Sequence, residues 1–266
     1  MITRVGDISV VGIFDGIGKE VAREVLKNPE KPDAWECHGE LLDPQGNLEF
    51  TLGGYLLLAG DRKVLIDTGV GTIRNDKYEG GLFLESLRQQ GVEASDITDV
   101  LFTHLHFDHV GWATQKGQIV FENATYRVHS ADWQYFVESP EAIPGAVRKL
   151  EPLIEHLETF DEDRELLPGI SSRHLPGHTP GSAIFTISSR SERAVFLGDV
   201  VHSIVELTEE GWEAVFDLDP PKAKAVRSNI SDELANSGEL AAAAHFPQFQ
   251  LGRIVSSDGL RRWLSN

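Results

Sequence analysis

Apolar residues along this chain fall into short runs separated by turn residues, and the period of each run predicts its element. Alternating or continuous apolar runs predict strands at 8–14, 48–58, 63–66, 100–103, 125–128, 183–187, 194–197 and 240–244. Segments of helical period predict helices at 18–26, 82–90, 131–138, 144–157 and 222–236. In the last of these, Val226, Ile230 and Leu234 recur at i, i+4 and i+8 and form one apolar stripe. A weak internal duplication is also visible. Tyr55-Leu56-Leu57-Leu58 followed by Lys63-Val64-Leu65-Ile66-Asp67 parallels Ala183-Ile184-Phe185-Thr186 followed by Ala194-Val195-Phe196-Leu197-Gly198-Asp199. Each half reads as a hairpin whose second strand delivers an aspartate at its end. Two such sheets, face to face with helices outside, predict an α/β fold of four layers, an αββα sandwich. No linker or low-complexity stretch interrupts the alternation, so residues 1–266 are expected to form one domain.

The strand-like run Val100-Leu101-Phe102 ends just before His104-Leu105-His106-Phe107-Asp108-His109. Four side chains able to bind metal thus fall within six residues, on a turn at the carboxyl end of a strand, where they can converge on an ion. Three further candidates end or follow apolar segments downstream: His178 in Gly177-His178-Thr179-Pro180-Gly181, Asp199 after Leu197-Gly198, and His245 in Ala244-His245-Phe246-Pro247. Five histidines and two aspartates suffice for two ions. Imidazole and carboxylate are the donors that borderline-soft divalent cations prefer.

The order His-x-His-x-Asp-His, Gly-His-Thr-Pro-Gly, Gly-Asp and a late His resembles the metallo-β-lactamase-fold hydrolase superfamily, over a stretch from about Thr51 to Pro247. The resemblance implies that His104, His106 and His178 hold one metal, that Asp108, His109 and His245 hold a second, and that Asp199 bridges both. It also implies a metal-bound hydroxide attacking a carbonyl or phosphoryl centre, with Asp108 or Asp199 passing a proton to the leaving group. Two zinc ions are the first expectation, with manganese, cobalt or iron able to use the same donors. The N-acyl homoserine lactonase and methyl-parathion-hydrolase-like branch is the nearest in pattern. In similar lactonases a tyrosine follows the bridging aspartate by three positions; His202 stands there in this chain. Its imidazole is expected to act as a donor or proton shuttle, the alternative being a strand-end histidine bonded to backbone.

Missing features narrow the class. The one cysteine, Cys37, lies far upstream of the third motif, which disfavours a β-lactamase with a Cys ligand. It also precludes an intrachain disulfide, and a buried or inert thiol is expected. A glyoxalase-II-like thioesterase would carry a helical extension where only about 20 residues follow His245, and remains an alternative. So does a persulfide dioxygenase, which shares His-x-His-x-Asp-His but uses a single iron. A lactonase, arylesterase or phosphotriesterase is the reading carried forward, because fold alone does not choose the substrate.

Acidic residues outnumber basic ones 42 to 24, giving a net charge of −18, and no Lys/Arg run offers the basic footprint of a nuclease. The expected partner is therefore a small-molecule ester or lactone and not a nucleic acid, with a homodimer left open. No apolar stretch approaches the roughly 18 residues of a membrane span, and the N-terminus lacks a signal peptide's basic start and apolar core. A cytoplasmic location and no membrane association are the corresponding expectations.

Other residues carry weaker signals. Asp67 is expected to orient hydrogen bonds around the 104–109 turn and not to bind metal. His38, His129, His156 and His174 lack partners at motif spacing and are expected to be structural or exposed. The long polar stretch 15–47 is read as a pocket wall or dimer arm, or else as a solvated helix and turn. Of Leu105, Phe107 and Trp112, Trp112 is the first choice to line the pocket.

Overall fold

The computed structural model of the chain describes residues 2–266. Two mixed sheets form its centre. The first runs, in spatial order, Ile2–Val5, Ile8–Val21, Asn47–Ala59, Arg62–Ile66, Asp99–Leu101, Thr125–His129 and Leu157–Phe160, with Tyr78–Glu79 pairing on Ile8–Val21. The second runs Arg164–Leu167, Ile170–His174, Ala183–Ser189, Glu192–Phe196, Leu240–Ala242, Gly252–Ser257 and Leu260–Ser265.

The two-residue period of the strands divides their side chains between layers. Tyr55, Leu57, Val64 and Ile66 meet Phe185, Ile187, Ala194 and Phe196 in a core between the sheets. The residues of opposite parity, Leu56 and Leu65, pack outward with Phe83, Leu87, Trp133 and Leu150 of the helical segments on that side. On the far side Val195 and Leu197 pack against Ile230 and Leu234 of the helix Pro220–Ser237. This is the αββα sandwich expected from the sequence. Both hairpins of the internal duplication are present, Tyr55 facing Ile66 in one and Phe185 facing Phe196 in the other.

Strand direction places the site. Arg62–Ile66 pairs parallel to Asp99–Leu101, with Ile66 opposite Leu101, and Glu192–Phe196 pairs parallel to Leu240–Ala242, with Phe196 opposite Ala242. Asp67, the 104–109 turn, Asp199 and His245 all follow the carboxyl ends of these strands, where ligands bind in sheets of this kind.

Four expectations need correction. The helix predicted at 18–26 is mostly strand: Ile8–Val21 continues through the glycines, and only Ala22–Val25 is helical. The glycines allow other chain segments to approach, since a Cβ on Gly16 would fall 1.8 Å from the Glu79 carbonyl oxygen. A bulge between Phe14 and Gly16 turns Asp15 inward. The stretch 15–47 does not line the cavity: it begins as strand and a short helix, and beyond Asn28 it runs through mostly exposed turns. Its buried Trp35 packs on Trp212 at 5.0 Å, behind the residues that do line it. The predicted helix 144–157 stops as an α-helix at Leu150 and continues as a tighter turn, Glu151–His156, because Pro152 has no N–H to offer the preceding turn. Cys37, finally, is exposed, which excludes the buried thiol of the two states expected.

No helix among the described residues is long and apolar enough to cross a membrane.

Candidate metal centre

Two groups of donors converge at the mouth of the sandwich. In the first, His178 Nε2 lies 3.2 Å from His104 Nε2 and 2.9 Å from His106 Nδ1, and those two nitrogens are 3.1 Å apart. In the second, His245 Nε2 lies 3.6 Å and His109 Nε2 4.0 Å from Asp108 Oδ2. Asp199 stands between the groups. Its Oδ2 is 3.2 Å from His245 Nε2, 3.6 Å from His178 Nε2 and 3.8 Å from His104 Nε2, while its Oδ1 is 3.3 Å from His109 Nε2. All seven residues predicted from the sequence are thus brought together, and His202 with them: its Nε2 is 3.6 Å from Asp199 Oδ2.

The donor set fits divalent cations. Three buried imidazole nitrogens facing one point have too few protons to satisfy one another in neutral form, whereas a cation at that point takes all three lone pairs. His109 Nε2 and Asp199 Oδ1 are buried without a hydrogen-bond partner among the described residues, an arrangement costly without a ligand. Four rings are also fixed from behind. His109 Nδ1 meets Asp67 Oδ2 at 2.9 Å, His178 Nδ1 meets Asp217 Oδ1 at 3.1 Å, His245 Nδ1 meets the Thr51 carbonyl at 3.1 Å, and His104 Nδ1 meets Thr103 Oγ1 at 3.2 Å. An oxygen partner on the outer nitrogen holds the ring's orientation and leaves the inner nitrogen free as a donor.

Burial first, and neighbouring histidines second, hold His104 and His106 well below the ordinary imidazole range, and burial lowers His178 as well. These rings are neutral at physiological pH, the form that binds metal. Burial also pulls His109 down, but Asp199, Asp67 and Asp108 outweigh it and raise it well above that range. Asp199 is pushed up by burial, yet His245 and His109 hold it well below the usual carboxylate range.

Asp67 does what the sequence led us to expect. Besides His109 it accepts the Thr103 backbone N–H at 2.8 Å and the Thr103 hydroxyl at 2.7 Å, so it fastens the start of the 104–109 turn. Asp132 performs a similar task that spacing did not reveal. Its carboxylate accepts the Leu105 N–H at 3.0 Å, the Thr179 hydroxyl at 3.0 Å and the Gly181 N–H at 2.6 Å, tying the first histidine motif to the loop of His178.

Burial drives the Asp132 carboxyl up to about 6, although the bonds from Thr179, Gly181 and Leu105 pull it down. A carboxyl whose folded value exceeds its unfolded one holds its proton more tightly in the folded state. Its contribution to stability is therefore greatest below about 4 and declines as pH rises to about 6. Denaturant titrations of Asp132→Asn and the parent chain between those limits should show the parent losing stability relative to the variant. A difference independent of pH would contradict the assignment.

The cavity above these donors has a volume of about 180 Å³, and Phe50, Tyr78, Phe107 and Phe216 form its apolar walls. This corrects the choice of Trp112. The Trp112 indole is buried and donates to Asp15 at 2.9 Å, and Leu105 is buried in the same outer core, while Phe107 is 52% exposed over the mouth. Among the weaker histidines, His38 pairs with Glu209 at 2.9 Å and His129 stacks on His174 at 3.7 Å, each away from the donor groups.

Residues 54–245 match the family described as the metallo-beta-lactamase superfamily. The chain belongs to it. An N-acyl homoserine lactonase from a Bacillus species is 27% identical over 173 residues, spanning 59% of this chain and 66% of that protein. The N-acyl homoserine lactonase AiiA of Bacillus thuringiensis subsp. kurstaki is 26% identical over 175 residues, with the same shares of the two chains. The match therefore spans just under two thirds of these lactonases. Among solved structures, AidC, described as a dizinc quorum-quenching lactonase in complex with a product, aligns over 100% of this chain and 97% of its own, with a TM-score of 0.87 at 23% identity. The hydrolase AbOPH aligns over 99% and 96%, with a TM-score of 0.87 at 24% identity. At these identities the likeness is one of fold, and it extends the metallo-beta-lactamase architecture to the whole chain.

Proposed function

We propose that this superfamily member is a metal-dependent hydrolase of ester-type bonds, acting on a lactone or ester with an apolar body. The observation that carries the reading is the place of Asp199 between two donor groups, within 3.8 Å of histidines from both. In this reading His104, His106 and His178 would hold one divalent cation, Asp108, His109 and His245 would hold a second, and Asp199 stands between the two groups, placed to serve either. Zinc suits the donors, and manganese, cobalt or iron share them. Cations held there supply Lewis acidity and lower the pKa of water towards about 7, so a nucleophile is available at neutral pH without a strong base.

The chain's own residues do the rest. Asp108, with its side chain 13% exposed, faces the cavity and is placed to take a proton at its carboxylate. His202 lines the same cavity beside Phe216, its ring 5.6 Å away, and is placed to exchange a proton at Nε2 with the substrate or leaving group. The four aromatic walls hold an apolar acyl or aryl group and exclude water from the reacting bond. The names of the similar lactonases put lactones ahead of aryl esters and phosphotriesters. The first and last strands, Ile2–Val5 and Leu260–Ser265, belong to the two central sheets, which supports reading 1–266 as one catalytic domain.

Metal quantification combined with a panel of lactones, aryl esters and phosphotriesters tests the reading. Close to two divalent ions per chain and hydrolysis within the panel are expected. One iron per chain with no hydrolysis would overturn it in favour of oxygenase chemistry. Within the same experiment His202→Ala should keep both ions and the fold while kcat/KM falls about 10- to 1,000-fold, the range for one lost proton donor or transition-state contact. Unchanged activity would make His202 structural, and a lost ion would make it a ligand.

A further inference from the structure

Behind His202 lies a buried set of charged side chains that the ligand assignment does not use. His202 is 3% exposed, and neither of its ring nitrogens has a hydrogen-bond partner among the described residues. Its Nε2 faces Asp199, and its Nδ1 faces Glu206 Oε1 at 3.6 Å. Glu206 belongs to the short helix Val205–Thr208, and its other oxygen, Oε2, accepts the backbone N–H groups of His202 at 2.5 Å and Ser203 at 2.8 Å. Those two bonds fix the carboxylate plane and leave Oε1 between Arg227 Nε, 2.9 Å away, and the imidazole. Arg227, on the helix Pro220–Ser237, also donates to Asp217 Oδ2 at 2.9 Å, and Asp217 Oδ1 is the partner of His178 Nδ1.

Burying two carboxylates and a guanidinium is costly unless their lone pairs and protons are matched. Here Arg227 is matched further by the carbonyls of Val200 at 2.9 Å and Trp212 at 3.2 Å. Glu206 Oε1 is in ion-pair contact with Arg227 Nε at 2.9 Å but accepts no hydrogen bond, and it also faces His202 Nδ1 at 3.6 Å. A carboxylate oxygen beside a ring nitrogen selects the tautomer that carries its proton there. The 3.6 Å separation closes to a hydrogen bond with a small ring rotation, as contacts of this type tighten on substrate binding.

We propose that Glu206 is a positioning residue: it holds a proton of His202 at Nδ1, so that Nε2 is the nitrogen that exchanges a proton with the substrate, and Arg227 bridges Glu206 and Asp217 so that His202 and His178 are oriented together. The inference rests on the reading of His202 as a substrate-facing side chain. Neither Glu206, Asp217 nor Arg227 stands at motif spacing, and their link is visible only in three dimensions.

The test uses the full chain loaded with zinc and carrying nitrogen-15 histidine, with His202→Gln to assign the His202 resonances. The parent should show His202 as the Nδ1–H tautomer. In Glu206→Gln the two backbone N–H groups keep the amide oxygen on their side, so the NH₂ faces Nδ1 and the tautomer inverts to Nε2–H. Zinc content should hold while kcat falls about 10- to 100-fold, the usual cost of an outer partner, with KM little changed. An Nε2–H tautomer in the parent, an unaltered tautomer in the variant, or loss of zinc would each overturn the proposal. Should Glu206→Gln fail to fold, Arg227→Lys keeps the charge but reaches only one carboxylate. It is expected to move the resonances of both His202 and His178, and movement of only one would overturn the bridge. A parent chain inactive on every substrate would sink the hydrolase reading while leaving the tautomer measurement intact.

Discussion

Asp199→Ala should abolish most metal binding and lower hydrolysis by more than about 1,000-fold, beyond the loss of a single stabilising donor. The expectation follows from position. Asp199 is 5% exposed and lies within 3.8 Å of inner nitrogens in both donor groups, so its removal would leave cations held by either group without a shared counter-charge. Elemental analysis of replete protein should fall from near two ions per chain to fewer than one. Full occupancy with undiminished activity in Asp199→Ala would end the bridged-site reading. His104→Ala should also lower occupancy, by less, since in the proposed assignment His104 serves one cation and Asp199 stands between both.

The difference between what spacing revealed and what it hid has a physical basis. The 104–109 cluster was legible because a turn at a strand end brings neighbours in sequence together, and the hairpins were legible because buried strands carry apolar residues at period two. Glu206, Asp217, Arg227, Asp132 and Asp15 were not legible. Asp15 and Asp132 act through partners far away in the chain, as Asp132 does on Thr179, 47 positions on; Glu206 meets N–H groups only three and four positions earlier, but no local pattern marks a carboxylate that will meet backbone N–H groups after folding. The glycine-containing segment at 18–26 was read by local period alone, and tertiary pairing with Asn47–Ala59 and Tyr78–Glu79 overrode it. The strands Leu157–Phe160, Arg164–Leu167 and Leu260–Ser265 went unseen because they are polar and lie at or near sheet edges, where burial imposes little pattern. Trp112 was preferred because core packing was as good a reading for Phe107, yet the Trp112 indole N–H is a donor that a buried carboxylate captured.

That carboxylate carries the largest stability effect expected in the molecule. Asp15 is fully buried, and five N–H groups converge on it: Oδ1 accepts from Gly81, Phe83 and the Trp112 indole, each at 2.9 Å, and Oδ2 accepts from Val70 and Gly71, each at 2.8 Å. The bulged strand, the 69–71 loop, the start of the helix Phe83–Gln89 and the segment after the metal turn therefore meet at one side chain. The 69–71 loop in turn holds that segment directly, since Gly111 N–H donates to the Gly69 carbonyl at 2.7 Å. Asp15→Ala leaves five buried donors without an acceptor. At about 1 to 3 kcal/mol for each unsatisfied group, partly recovered by relaxation and water, a loss of at least about 4 kcal/mol is expected. For a chain of this size that is a fall in Tm of about 10 °C, measurable by calorimetry. Asp15→Asn should fall between the two, because one oxygen still accepts while the NH₂ group meets other donors. Because the hub lies beneath the 104–112 segment, the weakened variants should also release metal at lower denaturant concentration than the parent. A destabilisation of Asp15→Ala below about 1 kcal/mol would show that the loop and the metal turn are held by their remaining backbone contacts instead.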